Sequence, residues 1–115
     1  MKNYALILAG GSGHRMNDDT PKAFLKVHGK YLIEYSIERF SKHPDIHHII
    51  LVVPKQQVDL SNDLIESLKY TKVLYVKTGG KDRFESSRIA VNSIPNEEAK
   101  VLIHDAARPL LTDKT

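Results

Sequence analysis

The sequence predicts an α/β fold: a Rossmann-like three-layer α/β/α sandwich on a mostly parallel sheet. Three observations carry this. Short, continuous apolar runs recur at Tyr4–Ala9, Ile49–Val53, Val73–Val76 and Val101–Ile103. Segments with apolar residues at helical spacing lie between them. The connections are short throughout. A strand that is apolar at every position is buried on both faces, as in parallel sheets covered by helices. The order βαβαβαβ is the connectivity of that architecture.

Each element follows from its residues. Tyr4–Ala9 is bounded by Gly10-Gly11 and reads as a buried strand. Residues 10–22 are polar and carry Gly10, Gly11, Gly13 and Pro21, so they read as a loop. From Tyr31 to Phe40, the residues Leu32, Ile33, Ser36, Ile37 and Phe40 fall on one helical face. His43-Pro44-Asp45 stops that helix. Ile49–Val53 is the second strand, ended by Pro54. Leu60, Leu64, Ile65 and Leu68 predict a helix over Val58–Leu68, with Asp59 or Ser61 as its cap. Val73–Val76 is a strand ended by Gly79-Gly80. Asp82 to Ile94 is a helix with Phe84, Ile89, Ala90 and Ile94 apolar. Val101–Ile103 leads to His104-Asp105. No helical pattern follows to cover this last strand, so the end at Thr115 reads as a cut.

The chain has 115 residues, 41% hydrophobic and 27% charged. That fits one compact domain, for which about 100–200 residues is the norm, and it permits a single core. Disorder, collagen-like repeats and coiled coil do not fit this composition. The absence of cysteine excludes a disulfide scaffold, a thiolate zinc site and a Cys nucleophile. No apolar run approaches the roughly 20 residues that span a bilayer. The apolar stretch after Met1-Lys2-Asn3-Tyr4 is too short for a signal peptide, so the cytoplasm is the expected compartment. Lys and Arg number 17 against 14 Asp and Glu. The charges are scattered, with no block suited to nucleic acid. A weak positive balance is compatible with an anionic small ligand.

Ligands of open α/β sheets bind beyond the carboxyl ends of the strands, and three polar clusters fall there. The first is Ala9-Gly10-Gly11-Ser12-Gly13-His14-Arg15-Met16, followed by Pro21-Lys22. Its glycines allow close backbone approach to phosphates, and successive N–H groups form an anion nest. Arg15 and Lys22 add charge where a phosphoryl group reacts. It is neither a P-loop nor a dinucleotide fingerprint, because Gly-Lys-Ser/Thr is missing and Met16 stands at the third glycine. A plain glycine turn with surface cations is the alternative. The second cluster, Gly79-Gly80-Lys81-Asp82-Arg83-Phe84-Glu85-Ser86-Ser87, joins a strand to a helix start, where free N–H groups attract polar ligand atoms. The alternative is a turn capped by Asp82. The third is His104-Asp105-Ala106-Ala107-Arg108-Pro109. A carboxylate at a strand end can place Mg²⁺ beside a triphosphate; the alternative is an Asp105–Arg108 ion pair. His43, His47 and His48 lack the carboxylate company of a metal site and read as a solvated turn. His14 and His28 read as surface residues. Ser86, Ser87 and Ser93 have no base nearby in sequence, which argues against a hydrolase nucleophile.

Taken together, Leu-Ala-Gly-Gly-x-Gly-x-Arg-Met, Pro-Lys-x-Phe-Leu, Gly-Gly-x-x-Arg-x-x-Ser and His-Asp-Ala-Ala-Arg-Pro are far more specific than any one of them. They resemble the motifs of nucleotide-diphospho-sugar transferases, and in particular of the 2-C-methyl-D-erythritol 4-phosphate cytidylyltransferases of non-mevalonate isoprenoid synthesis. The ribitol-5-phosphate cytidylyltransferases of teichoic acid synthesis are close relatives. They often depart from Ala-Ala in the last motif, so Ala106-Ala107 favours the erythritol enzyme. The resemblance runs from Tyr4 to Thr112 and implies the nucleotide-binding part, residues 1–115, of a single cytidylyltransferase domain. Family members are about twice as long. Their second half carries further sugar-phosphate contacts, another catalytic Lys and the arm that pairs two subunits of a homodimer.

The resemblance also implies roles. Ala9, Gly10, Gly11, Ser12 and Gly13 match the loop around the CTP phosphates. Arg15 and Lys22 match the pair that neutralises the triphosphate and the reacting α-phosphate. Gly79, Gly80, Lys81 and Ser86 match the segment that reads cytosine and ribose. Asp105 matches the carboxylate that places Mg²⁺, and Ala106 lies against the nucleotide. Ala23, where many members carry Gln, and Gly10, where many carry Ala, are departures that remove no charge. The implied reaction transfers CMP from CTP to a sugar-alcohol phosphate with release of pyrophosphate. Nucleic acid and membrane are not expected partners. A nucleotidyltransferase with another base preference and a non-catalytic CTP-binding module are the competing expectations.

Overall fold

The computed structural model describes residues 2–9, 22–79, 83–94 and 99–106; for Lys22, Arg83, Phe84 and Ala99 it describes the backbone. Strands β1 (Lys2–Leu8), β4 (His48–Val53), β5 (Val73–Thr78) and β6 (Ala99–Asp105) form one sheet. Between the first two lie a small antiparallel hairpin, β2 (Lys26–Val27) and β3 (Lys30–Tyr31), and helix α1 (Leu32–Ser41). Helix α2 (Val58–Leu68) joins β4 to β5, and α3 (Arg83–Asn92) precedes β6.

The sheet order is β5-β4-β1-β6, and every pair is parallel. β1 is central and its register explains its composition. Leu6 pairs with Ile50 on one side and Ile103 on the other. Parallel partners point to the same face, so the two faces separate cleanly. Ala5, Ile7, Ile49, Leu51 and Val53 pack with Ile33, Ile37 and Phe40 of α1, while Val58, Leu60 and Ile65 of α2 pack against that cluster. Tyr4, Leu6, Leu8, Ile50 and Val52 pack with Ala90 of α3, and Ile94 lies against them. Helices therefore cover both faces, and the expected three-layer α/β/α sandwich is observed. Leu6, Ile7, Ile50 and Leu51 are wholly buried, and burying such a side chain contributes about 1.5–3 kcal/mol each. Between Ile49 and Ile50 the β4–β5 register shifts by one residue at Leu74.

The strands run further than their apolar cores. Lys2 and Asn3 extend β1, Lys77 and Thr78 extend β5, and His104 and Asp105 extend β6. Backbone pairing does not require an apolar side chain at a strand end. Helix α2 matches its expected span, but its cap does not. Gln57 is the N-cap, with no side-chain capping bond. A short 3-10 turn, Lys55–Gln57, runs straight into the helix. Asp59 thus falls in the first turn, and the buried Ser61 donates its hydroxyl hydrogen bond back to the Gln57 carbonyl at 2.8 Å. The left-handed Lys69 (φ 56°) ends the helix, its N–H bonded to the Ile65 carbonyl.

The hairpin was not expected, because two polar-flanked residues per strand give no periodic signal. Its turn residues, His28 at φ 55° and Gly29 at φ 85°, both adopt the left-handed conformation, as a tight two-residue hairpin turn requires. Tyr35 of α1 holds the hairpin by donating its hydroxyl to the Val27 carbonyl at 2.6 Å.

β6 pairs with β1 along one edge among the described residues. Val101, Leu102 and Ile103 are 39%, 47% and 39% exposed, so this strand is far less covered than β1 or β4.

Candidate functional site

The topology fixes where a site can lie. From β1 the chain moves outward to β4 and then β5. It next crosses by α3 to the opposite side of β1 and forms β6. The strand order therefore reverses between β1 and β6. In open α/β sheets the crevice outside the carboxyl ends at such a reversal is the ligand site.

Three backbone bonds level this crest. The N–H of Ala9 donates to Val52 O at 2.8 Å, that of Gly79 to Val53 O at 2.8 Å, and that of Ala106 to Leu8 O at 2.9 Å. Each residue following a strand thus continues the ladder by one bond before the chain turns away. All three are small, so the crest is formed largely of backbone. These are three of the residues expected at the site from sequence, and the fold brings them into one row.

Gly79 is small for a measurable reason. A Cβ at this position would lie 3.0 Å from Ser86 Oγ, 3.3 Å from Val52 Cγ1 and 3.6 Å from Val53 O. Ser86, in the first turns of α3, is wholly buried. Its hydroxyl thus lies beside Gly79, where it fills the space a side chain there would need. Ser86, which the resemblance sets at the ribose and base, lies beside Gly79 at the end of β5.

Asp105 ends β6 opposite Leu8 and is partly exposed. Its neighbour His104 points to the other face. His104 Nε2 shares a 3.1 Å hydrogen bond with Ser36 Oγ of α1, and its ring meets Phe40 edge-on at a centroid distance of 5.4 Å. Ser36 is wholly buried. The sequence carries one signal for this pair: a serine on an otherwise apolar helix face needs a polar partner.

Lys22 begins the 3-10 turn Lys22–Phe24. Ala23 and Phe24 are buried in the α1-side core, and the Leu32 N–H donates to Leu25 O at 3.0 Å. The backbone at Lys22 is thereby anchored from the residues that follow it. Gly10, Gly11, Ser12, Gly13, Arg15, Gly80, Lys81, Asp82 and Arg108 lie outside the described residues.

Among the described residues no group of three or more His, Cys, Asp or Glu could hold a metal ion. A lone carboxylate is nevertheless the donor set that Mg²⁺ takes beside phosphates, because it keeps several waters and binds through one or two carboxylates plus substrate oxygens. Asp105 is a carboxylate of that kind at the end of β6. The histidines near residue 45 are engaged locally: His47 Nδ1 accepts from the Asn3 N–H, and His43 Nδ1 from the Asp45 N–H.

A second polar network lies apart from the crest. Glu38 of α1 accepts from Lys30 Nζ at 2.8 and 2.9 Å and from the Tyr70 hydroxyl at 2.8 Å. Burial works against the charged carboxylate, but the bonds from Lys30 and Tyr70 outweigh it, so its pKa lies below the ordinary value. Burial and the bond to Glu38 push the Tyr70 hydroxyl well above its ordinary range. This network ties the hairpin, α1 and the α2–β5 turn together.

The parallel sheet, the reversal between β1 and β6 and the levelled crest define an α/β protein of the kind that binds ligands at its strand ends. Within that class the chain belongs to the 2-C-methyl-D-erythritol 4-phosphate cytidylyltransferase (IspD) family, whose model matches residues 4–115. It is 36% identical over 111 residues to a 2-C-methyl-D-erythritol 4-phosphate cytidylyltransferase of Clostridium botulinum, covering 96% of this chain and 48% of that protein. It is 38% identical over 112 residues to the bifunctional ribulose 5-phosphate reductase/CDP-ribitol pyrophosphorylase Bcs1 of Haemophilus influenzae, covering 96% of this chain and 24% of that one. Among solved structures, the 4-diphosphocytidyl-2C-methyl-D-erythritol synthase of Anaerococcus prevotii superposes with a TM-score of 0.77 at 28% identity, over 98% of this chain and 47% of that chain. The chain spans about half the length of the curated cytidylyltransferases it matches. No helix among the described residues is long and apolar enough to cross a membrane.

Proposed function

We propose that this chain forms the nucleotide-binding half of a cytoplasmic cytidylyltransferase that transfers CMP from CTP to 2-C-methyl-D-erythritol 4-phosphate. A phosphate oxygen of the sugar-alcohol phosphate attacks the α-phosphorus of CTP. The bond to the β-phosphate oxygen breaks, and pyrophosphate leaves with the electron pair. The observation that carries this reading is the crest of Ala9, Gly79 and Ala106 beside Asp105, on a chain of this family. A row of small residues with N–H groups bonded into the sheet leaves room for a nucleotide to approach the backbone.

The chain's own residues divide the work. The Gly10–Gly13 segment would wrap the triphosphate through its backbone N–H groups. Arg15 and Lys22 would neutralise charge as it develops on the α-phosphate, and such preorganised cations lower the barrier without rearrangement. Asp105 would hold Mg²⁺, which supplies positive charge to the triphosphate when bound. Gly79, Gly80, Lys81 and Ser86 would read the base and ribose between β5 and α3. No covalent intermediate on the protein is needed; positioning and electrostatics supply the rate.

The 38% identity to a CDP-ribitol pyrophosphorylase supports ribitol 5-phosphate as a second reading of the acceptor. Pyrophosphate release measured with each acceptor in turn separates the two. Release with the erythritol phosphate alone is expected. Release with ribitol 5-phosphate alone moves the assignment to the second reading, and release with neither, while CTP is bound, leaves a nucleotide-binding module.

A further inference from the structure

We infer that His104 is a positioning residue for Asp105: its hydrogen bond to Ser36 and its edge contact with Phe40 fix the carboxyl end of β6, and with it the carboxylate at the crest. This inference rests on the reading of Asp105 as the Mg²⁺-placing carboxylate.

Among the described residues β6 is laddered to β1, and α1 meets it near its carboxyl end. His104 is where α1 grips it. Ser36 is wholly buried on a helix packed against β1 and β4, so its hydroxyl is a fixed point. Nε2 at 3.1 Å and the Phe40 ring at 5.4 Å hold the imidazole from two directions.

Strand geometry carries the effect to the next residue. Successive side chains point to opposite faces, so fixing His104 towards α1 turns Asp105 to the face shared with Leu8. The Ala106 N–H to Leu8 carbonyl bond at 2.9 Å then closes the strand end. Coordination to Mg²⁺ demands near-ideal geometry, and residues that orient a ligating carboxylate typically change metal affinity by about 10–100-fold when removed.

The test measures CTP affinity of the full chain by calorimetry, with Mg²⁺ and with EDTA, for wild type, Asp105→Asn, His104→Ala, His104→Gln and Ser36→Ala. The quantity read is the factor by which Mg²⁺ tightens CTP binding. Wild type is expected to show a clear factor, and Asp105→Asn to lose it. His104→Ala is expected to reduce it about tenfold, with affinity in EDTA unchanged. Gln, whose amide nitrogen can reach Ser36, is expected to restore most of it. Hydrogen exchange supplies a second readout. The Ala106 amide is expected to exchange faster in His104→Ala, while the amides of Ile50 and Val52 in β4 do not change. A merely structural loss would accelerate all of them. If His104→Ala unfolds the chain, Ser36→Ala decides by the same comparison: its Mg²⁺ factor is expected to fall, and an unchanged factor overturns the inference.

An unchanged Mg²⁺ factor in His104→Ala, alongside its loss in Asp105→Asn, overturns the inference and leaves the CTP reading standing. A wild-type chain with no Mg²⁺-dependent CTP binding overturns that reading and the inference together.

Discussion

Gly79→Ala tests the crest most locally. The backbone at Gly79 is not left-handed, so alanine meets no conformational strain there. The cost comes from space. The new methyl would sit 3.0 Å from Ser86 Oγ and 3.3 Å from Val52 Cγ1, and both side chains are wholly buried. Forcing one extra methyl into a packed site costs about 1–3 kcal/mol. Removing a glycine's freedom from the unfolded chain returns about 0.4–1 kcal/mol. The net expectation is a loss of about 1–2 kcal/mol, read as a lower urea midpoint at constant slope. Ser86→Ala removes the nearer obstacle, so the double variant should lose less than the two single variants added together. A Gly79→Ala chain as stable as wild type would refute the packing argument. Strict additivity in the double variant would refute the assignment of the strain to Ser86.

Other expectations follow from the same geometry. Glu38 has its pKa held below the ordinary value of 4.5, with burial opposing and the Lys30 and Tyr70 bonds prevailing. Its contribution to stability is thus present above that value and lost as the pH falls through its folded pKa. Glu38→Gln should flatten this part of the acid limb of a stability–pH curve, and an unchanged limb contradicts the network's role. Ile50 is wholly buried beneath α3, so Ile50→Ala should cost about 2–5 kcal/mol in denaturant unfolding; a loss under one kcal/mol would show that the α3 layer does not cover the sheet as described. In the active enzyme, Arg15→Ala and Lys22→Ala should each lose about 3 kcal/mol in kcat/KM, comparable to one strong transition-state donor. Near-normal turnover in either variant removes it from the mechanism.

The fold was legible where burial dictates composition. Ile49–Val53 announces a strand because both its faces are covered, Val101–Ile103 is a strand as its apolar run predicts although it is far more exposed, and Val58–Leu68 is a helix over its full expected span. Ends were less legible, since Lys77, Thr78 and Asp105 join ladders through backbone groups that no side chain advertises. The strand order was not readable from the chain at all. It depends on α3 covering the opposite face from α1 and α2, and the apolar pattern of a helix does not say which face it will cover. At the site, Ala9, Gly79 and Ala106 were legible as small residues after strands, and the structure aligns them. Ser86 stood out in sequence for its place in the second cluster; that it is buried beside Gly79 is visible only in the packing. The His104–Ser36 bond joins residues 68 apart in the chain. Only the packing of α1 on β6 brings them together.

The central claim is that these residues build a cytidine nucleotide site. Calorimetric titration of the chain with Mg-CTP, and with Mg-UTP as the control, tests it most directly. The account predicts saturable binding of CTP that is clearly tighter than that of UTP and weakened by Asp105→Asn. Equal affinity for the two nucleotides, or no binding of either by a chain that circular dichroism shows to be folded, would contradict it.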